Sequence, residues 1–329
     1  AVFAQQVQHA YLPYDTADAV HRFLQRIQPQ CLVIIETELW PNLLKACVTQ
    51  QIPVTLASAR ISARTAARYH YLRQLFSDVL PQLAVVAQTS EDTERYYKLG
   101  ALPERTQIAG NLKFDIEVDQ ATIAIGQHLK AALHARPVWI AGSTHAGEEE
   151  QVLQAHRQVL VHQPDALLIL VPRHPQRFAQ VAQWLTAKPF KFVSRSTGHP
   201  PTSEHAVWLI DTVGDLMSFY AASDVVFVGG SLVPIGGHNL LEPAALSLPL
   251  LTGPSVFNAP DICEALRAQH ALAQVESSQA LAEKVIELLR SPIQRQAMGE
   301  AANRVVQQGR GALNKVLAQL QQQTSITLP

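Results

Sequence analysis

A chain of 329 residues is long enough to bury two sizeable cores, so two domains are expected. A formal net charge of −1 at pH 7, with 47% of residues hydrophobic and 16% charged, leaves no basic footprint for nucleic acid and no acidic tail. Cys31, Cys47 and Cys263 lie too far apart for CxxC or Cys/His ligand spacing, which argues against a structural zinc site and for buried thiols in a reducing compartment.

In chain order, the opening Ala1-Val2-Phe3-Ala4 carries neither an initiator Met nor a secretory signal, and the sequence reads as starting part-way through a protein. No run of about 18 apolar residues follows that would span a membrane. Ala19, Val20, Phe23, Leu24 and Ile27 recur at helical spacing, and Pro29 ends that helix. Leu32-Val33-Ile34-Ile35 is the next strand, with Glu36-Thr37-Glu38-Leu39-Trp40-Pro41-Asn42 at its C-terminal end, where functional groups collect in parallel sheets. Glu36 and Glu38 are candidate functional carboxylates; alternatively Thr37 or Glu38 opens the following helix and the acids are merely solvated.

Pro53 to Ala57 is a short strand, after which Arg60, Arg64 and Arg68 recur every four residues. They form either a basic stripe for phosphorylated lipid or an anionic membrane surface, or a solvated helix face. Ala84 to Gln88 is a strand, and Thr89 opens a helix that Gly100 stops. Thr106 to Asp115 closes this half as a strand ending in Gly110-Asn111, with Lys113 placed to meet a substrate anion. A helical stretch from Val118 to His134 leads to the junction at Arg136-Pro137, so the domains are expected at 1–130 and 131–310, with a helix and tail over 311–329 crossing back to the first.

Pro137 to Glu150 reads as strand, glycine turn and helix, with Ser143 and Thr144 as the cap and three acids in the first turn. It is a phosphate-compatible loop or a purely structural start. Leu167 to Val171 is an apolar strand ending in Pro172-Arg173-His174-Pro175. The Arg173 fork suits two oxygens of a phosphate or carboxylate, whereas His174 between prolines is either a catalyst or a turn residue. Phe190 to Val193 and Val207 to Ile210 are further strands, and Asp211 to Met217 enters a helix ending near Ala222. The turn at Gly214 offers a seat for a nucleobase beside Leu216 and Met217, which are otherwise ordinary core residues.

Phe227-Val228-Gly229-Gly230 to Gly236-Gly237-His238-Asn239-Leu240-Leu241-Glu242-Pro243 is the most informative stretch: a buried strand, glycines that let backbone approach a ligand, and a helix from Asn239 whose N–H groups can face phosphate. Asn239 and Glu242, three apart, share a face suited to a ribose, or form a capping-box-like start. Helices from Ala280 to Leu289 and Ile293 to Leu320 complete the chain. No G-x-G-x-x-G follows a strand and no G-x-x-x-x-G-K-[ST] occurs, which disfavours an NAD dehydrogenase and a P-loop enzyme.

Taken together and in this order, Glu36 to Asn42, Gly110 to Asp115, Pro172 to Pro175 and Gly229 to Pro243 closely resemble the bacterial Kdo (3-deoxy-D-manno-octulosonic acid) transferases of lipopolysaccharide synthesis, nearly end to end. The resemblance implies a GT-B-like α/β fold: two Rossmann-like domains with parallel sheets facing across a cleft, the first N-terminally incomplete. It implies inverting, metal-independent transfer of Kdo from CMP-Kdo to a lipid A precursor at the cytoplasmic face of the inner membrane, with no cofactor. Donor contacts would come from Ser143, Thr144, Arg173, His174, Gly214, Leu216, Met217, Gly230, Gly236, Gly237, His238, Asn239 and Glu242. Glu36, Glu38 and Lys113 would line the acceptor side, and Arg60 and Arg64 the membrane side. The family's membrane anchor and general-base glutamate precede the first of these motifs, so the base is expected outside this sequence and transfer by the chain alone impaired, general bases being worth about 10²–10⁴-fold. Two rival readings remain, a sugar-nucleotide epimerase resembling the hydrolysing UDP-GlcNAc 2-epimerases, and a nucleotide-binding module without catalysis.

Overall fold

The computed structural model describes residues 7–71, 73–134 and 136–323; the opening residues 1–6 and the tail beyond 323 lie outside them. The chain divides into two compact units, one running to Asp115 and resuming at Gly309, the other from Ile116 to Gln308.

The first unit winds α1 (Ala17–Ile27), β1 (Leu32–Ile35), α2 (Pro41–Thr49), β2 (Val54–Ala59), α3 (Ala63–Tyr71), β3 (Ala84–Ala87), α4 (Ser90–Leu99) and β4 (Thr106–Ile108). Its four strands pair in parallel in the order β1-β2-β3-β4. Local chemistry explains the helix ends. Thr89 accepts from the Asp92 N–H to open α4, and Gly100 closes it in the left-handed conformation. For α2 neither Thr37 nor Glu38 is the cap: Asp15 reaches over from before α1 to accept the Asn42 and Leu43 N–H groups at 3.0 and 2.9 Å. One sheet face packs Leu56, Val85 and Ala87 against Leu39, Leu43, Leu80 and Tyr96.

The second unit contains α5 (Gln120–Ala132), β5 (Val138–Thr144), α6 (Glu148–His162), β6 (Leu167–Pro172), α7 (Phe178–Thr186), β7 (Phe192–Ser194), β8 (Val207–Leu209), α8 (Leu216–Ala221), β9 (Val225–Val228), α9 (Leu241–Ala245), β10 (Leu250–Thr252), α10 (Pro260–Ala268), β11 (Leu272–Gln274), α11 (Ser278–Arg290) and most of α12 (Pro292–Gly309). Its seven parallel strands run in the order β11-β10-β9-β5-β6-β8-β7. From β5 the chain builds outward through β6 and then returns to the opposite side at β9. The strand order thus reverses between β5 and β9, the position where open α/β sheets leave a crevice beyond their carboxyl ends. Both strands are fully buried, as their continuous apolar runs require.

Two boundaries differ from the sequence expectation. α5, placed in the first domain by a junction at residue 130, packs in the second unit: Gly126 approaches α8 so closely that a Cβ there would lie 2.4 Å from that of Ala221, and Lys130 pairs with Asp224. The helical spacing read from Ile293 to Leu320 is divided at Gly311, which has φ +105°. Beyond it α13 (Ala312–Gln323) begins, capped by Asp115, whose carboxylate accepts the Gly311 and Leu313 N–H groups at 2.7 Å each. Ala312 and Val316 of α13 pack on Ala57, Val86 and Ala109 of the first unit.

Candidate functional site

The loops after β5 and β9 meet at the switch point of the second unit, and a carboxylate holds them. Glu148, fully buried at the first position of α6, accepts the N–H groups of Gly230, Ser231 and Leu232 at 2.7, 3.0 and 2.9 Å, together with that of His145 at 3.2 Å. Burial raises its pKa, while those four N–H groups pull it back down. The N–H of Gly230, and the two after it, therefore already serve Glu148. Gly230 is glycine for other reasons, since its φ is +70° and a Cβ would lie 2.9 Å from His238.

The expected Ser143/Thr144 cap is likewise replaced. β5 continues through both residues, Gly147 takes the N-cap position of α6, and the Thr144 hydroxyl donates to Glu149 at 3.1 Å. Glu149 in turn pairs with both terminal nitrogens of Arg177. The helix expected from Asn239 starts two residues later. The Asn239 side-chain oxygen accepts the Leu241 N–H at 3.0 Å, a local turn that keeps Asn239 out of the helix, and α9 is only five residues long. The dipole at its start is correspondingly small.

What the structure does gather is a set of side chains over these loops. Asn239 Nδ2 donates to Glu242 Oε1 at 3.2 Å. Burial raises the Glu242 pKa, against the Asn239 hydrogen bond and the charge of Arg173, which lower it. Arg173, exposed just past β6, therefore acts on the same carboxylate, and its backbone N–H is held by the Thr144 carbonyl at 3.0 Å. α8 packs against α9 and β5, which brings the turn at Gly214 and the half-buried Leu216 and Met217 to this end of the sheet. Gly214 has φ +108° and open space where a Cβ would stand. Gly236 and Gly237 shape the far side of the loop, where Asn258 Nδ2 donates to the Ile235 and Gly237 carbonyls.

Three imidazoles complete the arrangement. His145 Nε2 and His238 Nε2 are 2.7 Å apart, with rings 8° from parallel, and His174 stands edge-on to His145 at 5.1 Å between centroids. Burial, reinforced by His145, Arg173 and His174, pushes His238 down to about 4; burial and then His174 also lower His145. His145 and Glu148 were not nominated from sequence: their partners lie 93 and 82 residues away, and no local pattern announces them.

In the first unit, Lys113 Nζ lies 2.7 Å from Glu36 Oε1 beyond the ends of β4 and β1. Among the described residues Glu38 makes no ion pair with them, and its charge acts on Tyr69 of α3. Nearby, Ser58 (φ +51°) accepts from the Gln88 side chain and the Leu112 N–H, while Thr37 donates to the Arg60 carbonyl. Arg60 precedes α3 and only Arg64 and Arg68 stand on it, both exposed, so the three arginines do not form one helical stripe. Among the described residues, no helix is long and apolar enough to cross a membrane.

Two parallel-sheet α/β units, with loops gathered at a switch point and residues 201–305 matching the family described as "Glycosyl transferases group 1", define a glycosyltransferase of GT-B-like architecture. Residues 1–116 match the family described as "3-Deoxy-D-manno-octulosonic-acid transferase (kdotransferase)". The chain is 40% identical over 320 residues to a 3-deoxy-D-manno-octulosonic acid transferase of Haemophilus influenzae, covering 96% of this chain and 75% of the relative. A Bordetella pertussis enzyme of the same name is 38% identical over 327 residues, covering 98% and 76%. The chain belongs to the Kdo transferase family. Among solved structures it is similar to the C-terminal CMP-Kdo binding domain of WaaA from Acinetobacter baumannii, with 34% identity and a TM-score of 0.55 over 57% of this chain and all of that one. A putative UDP-N-acetylglucosamine 2-epimerase from Listeria monocytogenes has a TM-score of 0.59 over 93% of this chain and 77% of its own, at 16% identity. That likeness is one of fold alone, so the epimerase reading has the fold in its favour and the family against it.

Proposed function

We propose that the second unit binds CMP-Kdo and that the protein transfers Kdo, with inversion and without a metal, to a lipid A precursor at the cytoplasmic face of the inner membrane. The observation that carries the donor assignment is the convergence of Arg173, the Asn239–Glu242 pair and the open Gly214 turn at one end of the sheet. An arginine fork suits a phosphate, a carboxylate suits the two hydroxyls of a ribose, and an open backbone turn with Leu216 and Met217 suits a flat base.

In this reading the acceptor hydroxyl attacks the anomeric carbon as the bond to the CMP phosphate oxygen breaks; the phosphate keeps the electron pair and the hydroxyl proton passes to a base. Arg173 stabilises the charge growing on the phosphate. The five-residue α9 adds less than a long helix would. Lys113, Glu36 and Glu38 serve the acceptor, and Arg60 and Arg64 the membrane side.

Calorimetric titration with CMP, UMP and GMP tests the donor assignment independently of acceptor activation. CMP is expected to bind selectively, about tenfold or more weakly to Glu242→Ala because hydrogen bonds to a charged group are lost. A preference for UMP would favour the epimerase-type reading, and no binding by a folded chain would refute the donor assignment.

A further inference from the structure

The contact between His145 and His238 restricts what the two rings can do. A hydrogen bond between two Nε2 atoms requires a proton on one and a lone pair on the other. In a neutral pair the ring that donates then has a bare Nδ1, and the ring that accepts carries its proton on Nδ1. The pair presents one acceptor and one donor, and among the described residues neither Nδ1 has a hydrogen-bond partner. Adding one proton at the bare Nδ1 gives an imidazolium that still donates through Nε2, so the mutual bond survives and both Nδ1 atoms become donors. A second proton would set two N–H groups against each other and break the bond.

Burial disfavours the first proton on both rings, and the charges around the pair act on top of it. From the β5–α6 segment, Glu149 favours charge on His145, while Glu148 is engaged by four backbone N–H groups. From the β6–α7 segment, Arg173, Arg177 and His174 oppose it; Arg173 and His174 oppose charge on His238 as well. From the β9–α9 segment, Glu242 is shared with Asn239 and influenced by Arg173. Without a ligand, burial first and then these neighbours hold both rings below the ordinary histidine value. An anion on Arg173 offsets a charge that opposes protonation of both rings and adds an acceptor-only partner.

Resting on the donor-site reading above, we propose that His145 and His238 act as one unit, taking up a single proton when the phosphate of the donor nucleotide binds and turning the bare Nδ1 acceptor into a second N–H donor. His145 is then a positioning residue that acts through His238.

The test is an NMR titration of the histidine rings in the isotopically labelled full chain, alone, with CMP and with cytidine, using His145→Gln and His238→Gln to assign the signals. CMP is expected to move the shared protonation midpoint of the two rings up by about one pH unit or more, as an opposite charge nearby does, while uncharged cytidine leaves it in place. Only one proton enters the pair across that step. In His145→Gln, His238 is expected to lose the CMP-dependent step although CMP still binds. Independent titration of both rings, or CMP binding that leaves both unmoved, overturns the proposal and spares the donor assignment. Absence of CMP binding refutes the donor assignment and this inference with it.

Discussion

The carboxyl ends of the two sheets use acidic residues in opposite ways. In the second unit Glu148 is fully buried and spends its oxygens on four backbone N–H groups, so the charge builds the loop rather than meeting solvent. In the first unit Glu36 faces Lys113 with both side chains roughly half exposed, at 40% and 51%. Each acid follows a strand in a parallel sheet, and strand position alone does not distinguish them. The difference is desolvation: a buried carboxylate is tolerable only with its lone pairs filled, whereas an exposed ion pair is loosely held and free to exchange partners.

The strongest way to break this contrast is Glu148→Ala. It leaves the Gly230, Ser231 and Leu232 N–H groups without an acceptor, at about 1–3 kcal/mol each, so a loss of several kcal/mol is expected in urea unfolding at pH 7. Glu148→Gln, which keeps one acceptor oxygen, should lose less. An unchanged unfolding midpoint in the alanine variant would remove the structural role assigned to Glu148.

His156 extends the contrast to a buried base. Trp139 Nε1 donates to its Nδ1 at 3.0 Å, and its Nε2 meets the Ala206 carbonyl at 2.8 Å, so the neutral tautomer protonated at Nε2 fills both contacts. Burial pushes this imidazole down to about 4 from the usual 6.5. The unfolded chain therefore binds the proton first: the stabilisation is complete above pH 6.5 and is lost as pH falls from 6.5 towards 4, by up to about 3 kcal/mol. Urea unfolding between pH 7 and 4.5 should show this slope, and His156→Gln should flatten it. An equal slope in the variant would assign the acid sensitivity elsewhere.

Smaller effects separate ligand contacts from scaffold. Glu242→Ala should weaken CMP by about 1.5–3 kcal/mol while changing unfolding stability by less than about 1 kcal/mol. Comparable losses in both measurements would mark Glu242 as scaffold. Lys113→Ala should be smallest, altering stability by no more than about 1 kcal/mol because its pair is exposed. A larger loss would show that the first unit relies on that ion pair structurally.

Much of the fold was legible because it depends on neighbours in sequence. The strands at Leu32–Ile35 and Val225–Val228 are continuous apolar runs, and the Thr89 cap and Gly100 stop of α4 are made within their own turns. The readings that changed depend on distant partners. Thr37 and Glu38 looked able to open α2 until Asp15 took that place, and the glycines at 229–230 looked like room for a ligand until Glu148 and His238 occupied the space. Arg60, Arg64 and Arg68 looked like one stripe because spacing says nothing about where a helix begins.

By itself the sequence determined the parallel α/β winding, the strand ends at which polar residues gather and, through four motifs in order, the transferase family. These follow from hydrophobic runs, turn residues and residue identity, all readable along the chain. Only the tertiary structure decided which carboxylate is interior scaffold, which stays beside an arginine, and that two histidines 93 residues apart share a hydrogen bond. Burial and directional hydrogen bonding depend on what packs above each residue, and the linear order of the chain does not contain that.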